Sequence, residues 1–291
     1  MIQIAVLTPD PADPSYAGQW PGVLDRLTSV LAGGGIEVIA TPWSDHVEDG
    51  TRLAQFPLVL AVIAWGYHRD HQRWMRATHA WGEAMVRIAN PASVLGWNSD
   101  KTYLRGLAER GIPIAPTFWT DGLSPGLIDQ AFEAFGDTLI VKPTISAGAY
   151  RTLKLSKGDA IGHNADISTM IQPYLKTIET EGELSLLFFG GQFSHAVNKR
   201  PVDGDFRIQV QYGGRYSSVS KPDEAALALA HRVLAVIDEP LLYARIDMVR
   251  DDADQWLLME AELIEPDFYL DHAPGGGTAF VAGVRERLDR D

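Results

Sequence analysis

Residues 243–266, YARIDMVRDDADQWLLMEAELIEP, constrain the fold more than any other stretch of the chain. Two strand-like runs, 243–250 and 255–264, flank Asp251-Asp252-Ala253-Asp254, whose side chains favour a turn. The pattern demands an antiparallel hairpin. Side chains alternate faces along a strand, so Leu257, Met259, Ala261 and Leu263 are expected on one face. Glu260 and Glu262 fall on the other, between Leu258 and Ile264. Arg245 and Asp247 share one side of the first strand. An even connection, such as the four-residue turn, puts Asp247 on the glutamate face; an odd one does not. Three carboxylates on one face repel each other unless positive charge sits among them. Hard oxygen ligands of this kind suit magnesium, which takes one or two carboxylates together with substrate phosphates. The alternative is the solvated face of a surface hairpin.

The chain is long enough, at 291 residues, for two or three domains. Its net charge of −13 argues against non-specific binding to nucleic acid or to an anionic membrane surface. With no cysteine, disulfides, thiolate metal sites and cysteine nucleophiles are excluded. No apolar run approaches a membrane span, and the start MIQIAVLTPD lacks a basic signal-peptide region, so a cytoplasmic location is the expectation. There is no internal repeat and no low-complexity segment.

Residues 2–7 read as a strand, 20–34 as a helix stopped by Gly33-Gly34-Gly35, and 36–40 and 58–64 as further strands. A helix is expected over 70–88. This order implies an α/β layer, whose ligands sit beyond the carboxyl ends of the strands. Those ends are 8–16 and 65–68, the candidates for contacting a variable substrate. His68 and His71 are spaced as a metal pair or, more commonly, as polar loop histidines. After the Asn90-Pro91 break, Asn98-Ser99-Asp100-Lys101 reads as a helix start with Ser99 as N-cap. A lysine there opposes the helix dipole, a conflict that a bound anion would remove.

Residues 111–117 are extended and resemble a domain junction, and 124–135 read as a helix. A strand, 139–143, carries Lys142 and leads into the small-residue loop 144–152. Backbone N–H groups and an ammonium converging in this way cradle phosphate, although the P-loop pattern is absent. The run 170–175 is interrupted by Pro173 and suits a hinge. Strands follow at 183–189 and 192–197, joined by Gly190-Gly191, with a third candidate at 203–212 bearing Arg207. Helices are expected at 222–238 and 279–288.

Taken in order over 98–266, these pieces resemble the ATP-grasp superfamily, in particular the branch of bacterial glutathione synthetase and ribosomal-protein glutamate ligases. The resemblance implies an α/β chain, α+β in its C-terminal part. Its parts would be an N-terminal α/β domain (1–115), a central lid domain (116–172) and a C-terminal antiparallel-sheet domain (173–291). It also implies ATP with two magnesium ions, for which manganese can substitute, a small amino-acid-like carboxylate substrate and, as in many members, a homodimer. Carried over residue by residue, Lys101 and Lys142 hold the nucleotide. Ser146 and Gly148 belong to the glycine-rich loop, Gln172, Tyr174 and Leu175 to the adenine hinge, and Glu183 meets the ribose. Lys199 and Arg207, with Arg245, face the phosphates or the acyl intermediate. Asp247, Glu260 and Glu262 match the metal ligands. The branch has asparagine at the last position, and Glu262 departs from it by a negative charge that Arg245 is placed to compensate. The runs SDKTYLRGLAERGIPIAPT, LSLLFFGGQFSHAVNKRP and DFRIQVQYGG resemble the subgroup that contains the cycloserine ring-forming ligases acting on O-ureido-serine. The implied reaction is carboxylate activation as an acyl phosphate, then displacement of phosphate by an amine. The rivals are intermolecular ligation, a phosphotransferase on the same fold, and a nucleotide-binding protein without catalysis. Loop 146–152 and residues 212–215 are the expected lids.

Overall fold

The computed structural model describes residues 1–159, 167–202, 205, 207, 208 and 212–290. Among these, the strands form three sheets. The first is parallel, with β1 (Ile2–Thr8) between β2 (Ile36–Pro42) and β3 (Val59–Leu60), and β4 (Ile88–Ala89) at the edge beside β3. Helices α1 (Trp20–Ala32) and α2 (His71–Glu83) pack on it. In α2 the Asp70 carboxylate caps the Arg73 N–H at 3.1 Å, and Trp74, Ala77, Thr78 and Trp81 form the buried stripe. Two short helices, α3 (Ala92–Asn98) and α4 (Tyr103–Glu109), leave this layer.

The second sheet is antiparallel, in the order β5 (Phe118–Thr120), β8 (Thr169–Pro173), β6 (Thr138–Pro143), β7 (Leu153–Ser156), backed by α5 (Pro125–Phe135). After the single-turn helix α6 (Thr177–Thr180) comes the third sheet. It comprises β9 (Glu183–Phe189), β10 (Gln192–Arg200), β11 (Arg215–Ser218), β12 (Tyr243–Arg250) and β13 (Trp256–Glu262) in the order β11-β10-β9-β12-β13. Leu184, Leu186 and Phe188 alternate toward the core against α7 (Glu224–Ile237). The last helix, α8 (Thr278–Asp289), returns to the first sheet, where Phe280 and Val284 pack with Ile4 and Leu31. No helix is long and apolar enough to cross a membrane among the described residues.

Several expectations are corrected. The run 58–64 is buried throughout, but only Val59–Leu60 pairs in the sheet. Residues 61–64 turn, and Gly66 at φ 92 redirects the chain. The helix expected to reach residue 88 ends at Glu83, and Ile88–Ala89 is a strand. Ser99 is not an N-cap. It follows α3, its hydroxyl donates to the Gly96 carbonyl at 2.6 Å, and α4 starts only at Tyr103. The segment 170–175 is mostly strand β8 rather than a free hinge. The strand candidate at 203–212 falls largely outside the described residues, and the strand beside β10 is β11, Arg215–Ser218.

The hairpin itself forms, with a different register. Arg250 pairs with Trp256, so five residues (251–255) make the connection. That odd number alone would set Asp247 opposite Met259. One bulged residue, Met259, shifts the ladder, and Asp247 faces Glu260 while Arg245 faces Glu262. The bulge also separates side chains expected together. Leu257 and Met259 pack with Val249 on the cleft side, whereas Leu258, Ala261 and Leu263 join the core with Ile246 and Met248.

β13 is an edge strand, held from outside by side chains and by one isolated backbone bridge between Ile114 and Leu258. Asn98 donates to the Ala261 carbonyl at 2.8 Å and accepts from Leu263 N–H at 3.0 Å. The Tyr103 hydroxyl bonds both backbone groups of Ala261. Asn90, wholly buried, donates to the carbonyls of Tyr243 and Leu263 and accepts from Leu242 N–H. Asn90→Ala leaves these buried backbone groups unsatisfied and should cost about 3 kcal/mol, read as a lowered urea midpoint at unchanged m-value.

Candidate active site

A cavity of about 670 Å³ opens between the three sheets. Its floor is the third sheet, where alternation and register collect charge. Lys199 on β10 pairs across from Glu183 on β9, and Asp247 on β12 lies opposite Ser185. Gly182, at φ 87, lets the chain pass close to the backbone of Lys199, where a Cβ would meet its carbonyl at 2.7 Å. Lys199 Nζ reaches Glu183 Oε1 at 2.5 Å and Asp247 Oδ2 at 3.1 Å. Arg245 grips Asp247 through Nε and Nη2, at 3.1 and 3.0 Å, and also bonds Glu262. The Ser185 hydroxyl donates to Asp247 at 2.5 Å.

Burial works against the Asp247 carboxylate, but Arg245 and Lys199 outweigh it and hold its pKa far below the ordinary value. Burial likewise opposes the charge on Lys199, and Asp247 and Glu183 more than offset it, so its pKa is raised. Glu262 goes the other way. Burial pushes it well up despite Arg245, with Glu260 and Asp247 adding repulsion. The cleft is short of positive charge at this end.

The opposite wall brings two lysines. Lys101, buried just before α4, donates to Glu260 Oε1 at 2.5 Å and to the Ser146 carbonyl at 3.0 Å. Burial opposes its charge, and Glu260 overcomes this. Lys142, on β6, has no ion-pair partner among the described residues. Burial lowers its pKa, and Lys101 nearby adds to the effect. An ammonium so placed is set for an anion. An apolar slot of Ala115, Leu175, Val249, Leu257 and Met259 lies alongside, with Ile178 packed against it. Gln172 donates to Thr117 at 2.9 Å, and Tyr174 lies under Lys154 at 3.6 Å. Arg207 lines the rim, forked onto Asp205 and stacked over Tyr212 at 3.8 Å.

The residues carried over from the ATP-grasp resemblance all line this one cavity: Lys101, Lys142, Ser146, Gly148, Gln172, Tyr174, Leu175, Glu183, Lys199, Arg207, Arg245, Asp247, Glu260 and Glu262. Two arrangements differ from expectation. Glu183 is tied to Lys199 rather than free toward a sugar. The three carboxylates do not form a ready-made metal cluster among the described residues, because Asp247 is spent on Arg245, Lys199 and Ser185. Glu260 and Glu262 are nonetheless oxygen donors on one face beside an under-neutralised carboxyl, which is chemistry a divalent cation fits. His68 and His71 do not make a metal pair. His71 bonds the Ser99 hydroxyl at 2.8 Å, and His68 packs on Tyr150 of the small-residue loop. Tyr67 lies in the expected substrate loop 65–68, and the residues missed from sequence are Glu265 and Tyr269. Their only local signal was proximity to the acidic hairpin.

This is the fold of the ATP-grasp ligases of known structure. The chain is similar to the cycloserine biosynthesis protein DcsG of Streptomyces lavendulae, with 28% identity over 92% of this chain and 93% of that protein. The crystal structure of the D-cycloserine synthetase DcsG superposes with a TM-score of 0.81, at 24% identity, over 99% of this chain and all 100% of that one. The ATP-grasp ligase PsnB, complexed with a precursor variant, Mg and ADP, gives a TM-score of 0.67 at 15% identity, covering 97% of this chain and 98% of that one. No protein-family model matches.

His68 generates a pH prediction. Burial, with Arg69 and Lys101 nearby, lowers its pKa from 6.5 to about 4. Below 6.5 the unfolded imidazole takes up a proton that the folded one refuses, so stability falls as pH drops through that window. His68→Gln should lose less stability than wild type between pH 7 and pH 4.5, measured as the shift in urea midpoint. An equal loss in both proteins removes His68 from the account.

Proposed function

We propose that the chain is an ATP-dependent carboxylate–amine ligase that works through an acyl phosphate on a small amino-acid-like substrate. The observation that carries this reading is the meeting, in one cavity, of Lys142, without an ion-pair partner among the described residues, with Lys101 and the acidic face of β12 and β13. The similarity to DcsG, along nearly the whole chain, supports intramolecular ring closure of an O-ureido-serine-like molecule.

In this reading ATP lies with its base in the slot of Leu175, Val249 and Met259. Lys101 and Lys142 hold its phosphates, and Ser146, Gly148 and the rest of loop 146–152 close over them. Glu260 and Glu262 are the residues that would hold magnesium, and Asp247 would join them only by giving up Arg245 and Lys199. The carboxylate count favours two ions, which manganese would replace. Bound metal supplies Lewis-acid neutralisation of the phosphate oxygens. The substrate carboxylate attacks the γ-phosphorus and ADP leaves. Arg245, Lys199 and Arg207 face the charge that builds on the transferring group. The amine nitrogen then attacks the acyl carbon, inorganic phosphate departs, and the nitrogen's proton is lost to the leaving phosphate or solvent. When both groups belong to one molecule, holding them together contributes an effective-molarity advantage of about 7–11 kcal/mol. No side-chain nucleophile is required.

Two outcomes test this. ADP release with O-ureido-serine and an amino-acid panel should depend on the carboxylate, and hydroxylamine should trap a hydroxamate. A product lighter than its substrate marks ring closure, and one combining two substrates marks intermolecular ligation. ADP release without hydroxamate points instead to a phosphotransferase. Glu260→Gln should keep its far-UV spectrum while losing about a hundredfold or more in ATP turnover. Wild-type-like turnover in that variant refutes the role given to Glu260.

A further inference from the structure

Two carboxylates that line the cavity are left without a task by the ligase reading: Asp267, which is exposed and accepts from Tyr269 N–H, and Glu265, which is half-buried. Glu183, Asp247, Glu260 and Glu262 each have a lysine or arginine within ion-pair distance. Glu265 has none among the described residues. The Tyr67 hydroxyl is near enough to favour its charged form, and Glu265 otherwise faces the cavity. It lies three residues past Glu262, where the chain leaves β13. The wall around it comes from the loops of the first sheet, with Tyr16, Trp65 and Tyr67 contributing aromatic surface.

Burial raises the Glu265 pKa from 4.5 to about 7, with Glu260 adding repulsion and Lys101 and Arg245 only partly offsetting it. A carboxylate enclosed without a counter-ion is costly, and a cation delivered by a ligand removes that cost. Aromatic walls favour the same sign of charge. Lys101 and Arg245 are near enough to act on Glu265 electrostatically. The seat therefore borders the point where the ligase reading places the substrate carboxylate. A group that is cationic and only a bond or two from a carboxylate satisfies both ends.

We propose that Glu265 seats the protonated α-amine of the substrate, a different nitrogen from the one that attacks the acyl carbon, with Tyr67 beside it, and so makes the cavity selective for amino acids over simple acids. The proposal rests on the ligase reading for the position of the carboxylate. Selectivity then comes from the first sheet and the exit of β13 together, rather than from the residues that handle ATP.

The test is calorimetric binding to the full chain with magnesium and a non-hydrolysable ATP analogue. The probes are O-ureido-serine, serine, and 3-hydroxypropanoate, which is serine without its amine. Wild type should bind the best amine-bearing probe at least about tenfold more tightly than 3-hydroxypropanoate. Glu265→Gln should weaken that probe about ten- to hundredfold and leave 3-hydroxypropanoate and the nucleotide within about threefold, the range expected for a charge-assisted bond. Glu265→Asp should keep part of the preference. The proposal is overturned if the Gln variant retains the preference, if wild type shows none, or if the variant changes only the magnesium requirement. Absence of carboxylate-dependent ADP release from wild type would instead sink the ligase reading, and the binding preference would still decide the role of Glu265.

Discussion

The contact on which the cleft depends is the grip of Arg245 and Lys199 on the buried carboxylate of Asp247. Each ion, taken alone into this interior, loses several kcal/mol of hydration. Two opposite charges about 4 Å apart recover about 4 kcal/mol at an effective dielectric of 20, so pairing is obligatory and geometry decides the sign. Alternation along adjacent strands supplies that geometry. Glu183 and Lys199 face each other across β9 and β10, Asp247 sits on the next strand, and Arg245 lies two residues before it on the same side. Positive and negative side chains interleave, and the floor is rigid before any ligand arrives. The balance is incomplete at the far end, where Glu262 and Glu265 are pushed toward protonation. A metal and a cationic substrate are two different remedies for that deficit, at two adjacent places.

The floor is positioned from the other side of the molecule. β13, which carries Glu260 and Glu262, is the outer strand of its sheet. Its exposed backbone is bonded by the side chains of Asn98 and Tyr103 and by the Pro113 carbonyl, which accepts from Leu258 N–H at 2.8 Å. These residues lie just before α4, within it and just after it, and Lys101 belongs to the same segment. The ammonium that meets Glu260 and the scaffold that aims Glu260 are thus one short piece of chain. The substrate wall belongs to the first sheet, whose core merges with the third through Phe189, Tyr243, Phe268 and α8. In the proposed reading, nucleotide handling and substrate choice fall to different layers that share a single boundary.

That division explains why likeness to DcsG carries further for the reaction than for its substrate. The floor residues lie on strands whose alternation leaves little freedom. Tyr16, Trp65, Tyr67 and His68 lie on loops, where side chains change without disturbing the sheet.

Much of this was legible along the chain. Helix periodicity placed α1, α5 and α7, and ELSLLFF announced a strand with one face in the core and one in the cleft. The charged residues of the cavity were recognisable as a set because their order matches a known superfamily. Three things lay beyond the sequence. The short strands β3 and β4 are set by burial against neighbours, not by length of pattern. The register at Asp247 depends on a five-residue connection corrected by one bulged residue, and neither is encoded in strand periodicity. The partner of each charge, such as Arg245 for Asp247 or, among the described residues, no cation within ion-pair distance for Glu265, follows from distances between strands and loops far apart in the chain. Local side-chain chemistry determined which groups can ionise, and only the packed structure decided which of them are neutralised from within and which wait for a ligand.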